Sequence, residues 1–250
     1  MPTELARRNH DALFPGQNSG LANADPELIE YFDNFAFDEI LGHDDLDPRT
    51  RLMTQLASLI ACQALGEYRV MLGAALATGV TPVQIKEIVY QAVPYVGMGK
   101  VYDFLHVTNE VLTERGVELP LPGQSTTTPE TRMTDGLAVQ KKIVGDDPVD
   151  AMYANAPADE QHIQRALSGN CFGDQVSRGG IELAVRELLT FGMLISLGGC
   201  DPQVKGHVRG NLNVGNDRAT LIAVVTQLVP FIGYPRSLNA IAAINEVTNP

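Results

Sequence analysis

The sequence QAVPYVG at residues 91–97 returns as QLVPFIG at residues 227–233, and this repeated stretch decides the fold. The same offset of 136 residues aligns Asn-Glu-Val at 109–111 with Asn-Glu-Val at 245–247, and a one-residue slip upstream changes the offset to 135. Order, spacing and residue type persist over about 75 positions, which predicts two copies of one module fused end to end. Other matched pairs are Leu76 with Leu212, Gly79 with Gly215, Phe37 with Phe172, Leu46 with Ile181 and Arg51 with Arg186.

A linker separates the copies, with the sequence LPLPGQSTTTP at residues 119–129. Proline, serine and threonine at this density are typical of an extended, solvated segment. We therefore predict a first repeat over residues 1–120, a linker over 121–130 and a second repeat over 131–250. The matched stretches of the two repeats should adopt the same helical arrangement.

Helix signals recur at matching places in the two copies. Thr81-Pro82 combines an N-cap with proline at the first helical position, and Asn216-Asp217 offers capping residues at the equivalent place. Gly79 lies where the previous helix would end in a left-handed residue. Pro94 should break or kink the next helix, whose polar residues, Glu87 among them, should lie on one side. No stretch alternates with a period of two, so the predicted fold class is all-α, a tandem repeat of one helical module.

The composition is that of a globular protein, with 44% hydrophobic and 19% charged residues among 250. Eighteen Lys and Arg against thirty Asp and Glu give a formal net charge of −12. Such an acidic surface repels phosphate backbones and anionic lipid headgroups, which argues against nucleic-acid and membrane partners. A small anionic substrate is still compatible, because one buried cationic residue can dominate a local pocket.

Residues 1–17 carry several charges and no long apolar run, so we expect no signal peptide. The longest apolar stretches, 52–65 and 219–232, are shorter than the roughly 20 residues of a membrane span and should form buried core helices. Three cysteines in a chain of this length do not make a disulfide framework. A reducing cytoplasm is therefore the expected location.

Residues 186–207, RELLTFGMLISLGGCDPQVKGH, contain the side chains best suited to chemistry. The glycine pair 198–199 should end one helix, and Asp201 should cap the next. Cys200 would then lie at a helix entrance, where backbone N–H groups lower the pKa of a thiol. His207 follows two turns later, so Cys200 and His207 should share one face of this helix.

Gln203 lies between them on that face, and Glu187 on the preceding helix could pair with His207 or hold a water. An acid, a base and a nucleophile would then converge from two helices. Simpler interpretations remain open: Cys200 is packed in the core, as most free cysteines are, and Glu187 forms a surface ion pair beside Arg186. The other two cysteines have no such polar neighbours and should lie in the core.

The pattern LDPRTR at residues 46–51, the helix–Gly–helix spacing and the Q-x-x-P-[Y/F]-x-G stretch in both copies resemble the carboxymuconolactone decarboxylase family. That family includes the alkylhydroperoxidase D proteins, and the resemblance covers nearly the whole chain. It implies a helical module that associates into rings, so a homo-oligomer is expected, with a trimer favoured because it would mimic a hexamer. No metal-ligand spacing, phosphate loop or dinucleotide fingerprint occurs in the sequence, so no cofactor is expected.

In the peroxidase branch, the resemblance implies a glutamate followed by Cys-x-x-Cys-x-x-x-His. Glu187, Cys200 and His207 fit the glutamate, the first cysteine and the histidine, with Glu187 one residue further upstream than usual. Gln203 occupies the place of the second cysteine, so the intramolecular disulfide cycle cannot run. A peroxiredoxin-like antioxidant using Cys200 alone, with an external thiol, is therefore an alternative function.

In the first copy, the matching positions carry no acid–base pair. The first copy is therefore expected to be structural, which leaves one active site per chain, in the second repeat. The residues that stand there for Glu187, Cys200, Gln203 and His207 are Leu52, Ala64, Glu67 and Met71.

The decarboxylase branch implies histidine chemistry in place of cysteine redox chemistry. His207 would stabilise the enolate left by loss of CO₂ and return a proton, with Glu187 orienting the ring. Gln203 and Arg236 are the candidate substrate-binding residues, unless Arg236 is a capping or subunit-interface charge. The leading expectation is thus a cofactor-independent lyase, resembling carboxymuconolactone decarboxylase, that acts on a small organic acid or lactone. A catalytically silent helical oligomer is the remaining alternative.

The chain should self-associate in solution, because the long apolar helices of each copy exceed what one small bundle can cover. Light scattering or sedimentation at micromolar concentration should give the mass of an oligomer, with a trimer expected. A monomer under these conditions would contradict the prediction.

Overall fold

The computed structural model describes residues 1–16 and 19–248, and no strand occurs in these two ranges. The predicted all-α class is therefore confirmed. The first half of the chain forms α1 (Glu4–Leu13), α2 (Pro26–Asn34), a π-helical segment (Phe35–Glu39), α3 (Pro48–Ala61), α4 (Leu65–Ala77), α5 (Pro82–Val96) and α6 (Met98–Glu114). The second half forms α7 (Arg132–Val144), α8 (Asp146–Asn155), α9 (Gln161–Ala166), a second π-helical segment (Leu167–Val176), α10 (Leu183–Leu197), α11 (Asp201–Asn213), α12 (Arg218–Ile232) and α13 (Tyr234–Thr248).

The tandem repeat is confirmed by the order and limits of these elements. Helices α3–α6 correspond to α10–α13, and α4 and α5 are offset from α11 and α12 by 136 residues at both ends. A π-helical segment precedes this set of four in each half. Residues 117–128 contain neither helix nor strand. The predicted end of the first repeat at residue 120 and the predicted end of the linker at residue 130 fall in or beside this stretch. These two boundaries stay a prediction.

Capping interactions set the helix limits much as the sequence predicts. Thr81 and Gln84 form a reciprocal capping box at the start of α5, and Asp217 accepts a hydrogen bond from the Thr220 amide at the start of α12. Gly79 has a φ of 90°, a conformation that side chains with a Cβ rarely adopt. Pro94 lies inside α5, which continues to Val96, so this proline does not end the helix.

Helices α3 and α10 form the centre of the molecule and pack against each other. Each contains eleven consecutive buried residues, Arg51–Ala61 in α3 and Arg186–Ser196 in α10. Helices α5 and α12 also contact both of them. The hydroxyl oxygens of Ser58 and Ser196 lie 2.7 Å apart across the α3–α10 contact. The two repeats therefore share one interior, whose polar groups are paired across the boundary between repeats.

A buried ion network crosses the same boundary. Glu87 on α5 is almost fully buried and accepts hydrogen bonds from Arg186 on α10, at 2.9 Å, and from Arg178 through two guanidinium nitrogens. Gln91, one turn further along α5, accepts a bond from Arg186 Nη1 at 3.0 Å and donates to the Arg186 carbonyl at 2.8 Å. Glu87 and Gln91, on the polar side of α5, are thus buried between the repeats.

None of the helices in the described ranges combines the length and apolar character needed to cross a bilayer.

Replacing Glu87 by alanine should lower the free energy of unfolding by about 3–5 kcal/mol, because it leaves two arginines buried without their counter-charge. Urea denaturation followed by circular dichroism measures this loss. The control is Glu110→Ala, which removes an exposed partner of Arg69 and should barely change the midpoint. Equal effects of the two substitutions would show that the network does not hold the repeats together.

Candidate active site

The turn between α10 and α11 depends on two glycines with positive φ. Gly198 and Gly199 have φ values of 72° and 71°, and they end α10 as the sequence predicts. The N-cap of α11 is Cys200, and Asp201 is the first helical residue and makes no side-chain cap. The predicted capping role of Asp201 is therefore wrong.

Glu187 on α10 and His207 on α11 form the closest acid–base pair of this region. Glu187 Oε2 lies 2.8 Å from His207 Nδ1, and the side chains are 0% and 16% exposed, respectively. Asn211 joins the two helices, since its Nδ2 donates to the Glu187 and His207 carbonyls at 3.1 and 2.7 Å. The carboxylate engages Nδ1, so Nε2 is the ring nitrogen that this contact leaves available.

Gly210 makes room for this carboxylate beside α11. A Cβ at this position would lie 3.0 Å from Glu187 Oε2 and 2.9 Å from a side-chain carbon of Ile143. The corresponding residue of the first repeat is Ala74. A small residue is therefore sufficient in the first repeat, whereas the buried glutamate of the second requires glycine.

The first repeat contributes Tyr95, from the end of α5, to the same site. Its ring lies edge-on to the His207 ring, with the ring centroids 5.9 Å apart, and its hydroxyl oxygen is buried. Burial, and then the charge of Cys171 and Glu187, raises the pKa of Tyr95 well above its usual value of 10. Tyr95 was not singled out from the sequence, although the difference between VPYVG and VPFIG in the repeated stretch marks this position.

Cys171, on the second π-helical segment, lies beside Tyr95. Burial raises the pKa of the Cys171 thiol to about 12, with the charge of Glu187 acting in the same direction. The expected core position is observed, since Cys171 is buried. The expectation that it has no polar neighbours is wrong, because Tyr95 and Glu187 adjoin it.

Cys200 lies in a different environment from the one the sequence suggests. Its Sγ donates to the Leu194 carbonyl at 3.3 Å. Partial burial, and then the charge of Asp201, raises the pKa of the Cys200 thiol. The prediction of a lowered pKa is therefore wrong, because burial and the Asp201 carboxylate both oppose ionisation of the thiol.

Arg236 lies with Cys200 and not with His207. A small cavity of about 70 Å³ is lined by Arg236, Cys200 and Asn239, among others. The exposed Arg236 guanidinium places Nη1 3.5 Å from the sulfur of Cys62, so Cys62 also has a polar neighbour. Gln203 is exposed on α11. The structure thus brings Glu187 and His207 together and groups Cys200 with Arg236 elsewhere.

The surface ion pair considered for Arg186 and Glu187 is not present. Both side chains are buried, and they diverge from adjacent positions of α10. Arg186 extends to Glu87, and Glu187 extends to His207. The two neighbours therefore belong to two different polar groups.

The equivalent site of the first repeat is apolar. A cavity of about 540 Å³ that includes Phe231 is lined largely by phenylalanine and aliphatic side chains, with His10, Asp33 and Glu67 as its titratable residues. The first-repeat positions that match Glu187 and His207 carry no titratable side chain. The buried or half-buried residues that match Glu187, His207, Cys171 and Tyr95 are Leu52, Met71, Ala36 and Phe231.

Alkylation should be slow at both cysteines of this region, because a raised pKa leaves less thiolate at neutral pH. Iodoacetamide should modify Cys200 more slowly than an unstructured cysteine peptide, and Cys171 more slowly still. Mass spectrometry of timed digests gives the rates, and the urea-unfolded protein is the control, in which all three cysteines should react alike. Rapid modification of native Cys200 would contradict this electrostatic assignment.

Comparison with known proteins agrees with this architecture. The model of the carboxymuconolactone decarboxylase family matches the chain twice, at residues 26–110 and 161–246. The 4-carboxymuconolactone decarboxylase of Acinetobacter baylyi is 28% identical over 118 residues, which are 47% of this chain and 87% of the relative. Since the two family matches fall on the two repeats and together span more than half of the sequence, this chain belongs to the carboxymuconolactone decarboxylase family, with the family domain present in tandem.

Proposed function

We propose that the second repeat is a cofactor-independent decarboxylase that acts on a small carboxylated lactone or a related organic acid. The observation that carries this proposal is the buried Glu187 carboxylate hydrogen-bonded to the partly exposed ring of His207. The similarity to a 4-carboxymuconolactone decarboxylase supports the same reaction class. The substrate class and the roles of the residues are part of the proposal.

The chemical step needs an electron sink and a proton donor. The bond between carbon and the carboxylate breaks, CO₂ leaves, and the electron pair is delocalised onto the lactone carbonyl oxygen. The protonated His207 ring then delivers its Nε2 proton to the carbon that lost CO₂, and solvent reprotonates the ring. Imidazole suits this role because it accepts and donates protons near neutral pH.

Glu187 fixes which nitrogen of His207 faces the substrate. A carboxylate at Nδ1 keeps a proton on that nitrogen and stabilises the imidazolium form that donates from Nε2. Its burial, with α10 and α11 joined through Asn211, holds this geometry before the substrate binds. Removing the negative charge should therefore lower kcat more than it changes KM.

Arg236 and Gln203 are proposed to act on binding and not on the chemical step. Cys200 and His207 are seven residues apart on α11, a rise of about 10 Å, and Arg236 lines the cavity at the Cys200 end. An exposed guanidinium there can attract an anionic substrate to an otherwise acidic protein. Arg236→Ala should accordingly raise KM and leave kcat nearly unchanged.

The thiol-peroxidase alternative receives less support. A peroxidatic cysteine reacts as the thiolate, and both burial and Asp201 oppose thiolate formation at Cys200. His207 is already engaged by Glu187, and no hydrogen bond joins it to Cys200 within the described ranges. We therefore propose no redox step.

His207→Ala should reduce kcat/KM on 4-carboxymuconolactone by a factor on the order of 10²–10⁴, the usual contribution of a general acid–base group. Cys200→Ser should be mild. The reaction is followed by release of CO₂ and loss of the substrate carboxylate by NMR. His106→Ala is the matched control, because His106 is an exposed helical histidine of the first repeat, and it should leave the rate unchanged.

Two results would contradict the proposal. One is an unchanged rate in His207→Ala. The other is hydroperoxide turnover with a dithiol donor that disappears in Cys200→Ser, which would assign the site to thiol chemistry.

A further inference from the structure

Five buried polar side-chain atoms in the described parts of the chain have no hydrogen-bond partner, and three of them adjoin the candidate active site. The three are Arg186 Nε, Tyr95 Oη and Glu187 Oε1. A buried polar group without a partner costs about 1–3 kcal/mol, so three such groups in one place indicate an interaction that joins them.

The hydrogen-bonding capacities of these atoms are complementary. Arg186 Nε–H can only donate, and the ionised Glu187 Oε1 can only accept. The hydroxyl of Tyr95 can do both. One chain, from Arg186 Nε–H to Tyr95 Oη and from Tyr95 Oη–H to Glu187 Oε1, would satisfy all three.

The packing of α5 along α10 places the three groups in one neighbourhood. Gln91 Nε2 contacts the Arg186 carbonyl and the Thr190 hydroxyl, at 2.8 and 3.0 Å, one turn before Tyr95 on α5. The charge of Glu187 acts on the pKa of Tyr95, and Tyr95 acts on the pKa of Arg186. The Tyr95 hydroxyl also adjoins Thr190 and Cys171, and its ring lies against His207, so it is within electrostatic reach of both Arg186 and Glu187.

The first repeat provides an internal comparison. Arg51 occupies the position of Arg186, but Phe231 stands for Tyr95 and Leu52 stands for Glu187. The hydroxyl and the carboxylate are thus present together at one site and absent together at the equivalent site. If Tyr95 served packing alone, phenylalanine would be sufficient, as it is at Phe231.

We propose that Tyr95 is a positioning residue that the first repeat supplies to the Glu187–His207 pair of the second. Its hydroxyl accepts a hydrogen bond from Arg186 Nε and donates one to Glu187 Oε1 through enclosed water, because the three atoms make no direct hydrogen bond in the structure. The inference rests on the proposed function only for its effect on rate, since the hydrogen bonds can be tested in the absence of turnover.

A positioning role for Tyr95 predicts a change in the titration of the Glu187–His207 pair, whereas a packing role does not. Tyr95 stays protonated at neutral pH, and its O–H withdraws charge from the carboxylate that holds His207. Without that donor the carboxylate is a stronger base, so the Glu187–His207 pair keeps its shared proton to higher pH. A hydrogen bond to a charged group corresponds to a shift on the order of one pH unit.

The test is the Tyr95→Phe variant, studied by NMR of protein carrying ¹⁵N-labelled histidine. The His207 signals are assigned by their loss in His207→Gln, and their titration midpoint should rise by about one pH unit in Tyr95→Phe. The matched control is Tyr68→Phe, which removes a buried hydroxyl, near the start of α4, that is bonded to Thr108 on α6 and should not move the midpoint. With 4-carboxymuconolactone, Tyr95→Phe should lower kcat roughly tenfold at constant KM.

An unchanged His207 midpoint, with thermal stability equal to or above that of the wild type, would overturn the inference, because Tyr95 would then be a packing residue with an unused hydroxyl. A shifted midpoint in a protein that does not decarboxylate the lactone would support the hydrogen-bonded chain while refuting the proposed function. The two hypotheses therefore fail separately.

Discussion

The complete burial of α3 and α10 against each other is the constraint on which the rest of the structure depends. Eleven consecutive residues of each helix are buried, and both runs include polar side chains. Polar groups placed there must find partners within the protein, and some find them in the other repeat, since water does not reach them. The pairing of Ser58 with Ser196 and of Gln91 with the Arg186 carbonyl follows from this requirement. The repeats are thereby two halves of one interior.

The same constraint explains why the copies differ. A buried glutamate requires a partner and space, which His207 and Gly210 provide in the second repeat. Leu52 occupies the equivalent position of the first repeat and needs neither a polar partner nor extra space. Met71 can therefore pack at the position equivalent to His207. An apolar interior is the stable default, and the buried carboxylates Glu87 and Glu187 are held against their desolvation penalty by the arginines and by His207.

The sequence was sufficient for the fold because its signals are local or periodic. The repeated Q-x-x-P-[Y/F]-x-G stretch, the glycine turns and the caps each act on neighbouring residues. The environment of Glu87 could not be predicted in this way, because its partners Arg178 and Arg186 lie in the other repeat. Cys200 was misjudged for a related reason: helix periodicity gives the face of a side chain, but not the Leu194 carbonyl that it contacts.

A site built across the boundary between two modules also gives a physical reason for one site per chain. Tyr95 approaches His207 from the first repeat, and by the same pseudo-symmetry Phe231 approaches the apolar positions around Met71 from the second. Each module thus contributes α5 or α12 to the site of the other. In one fused chain, the proposed site takes Tyr95 from one copy and Glu187 with His207 from the other. The equivalent residues of the other copy are free to become core, and their apolar side chains stabilise the shared interior that holds the proposed site in place.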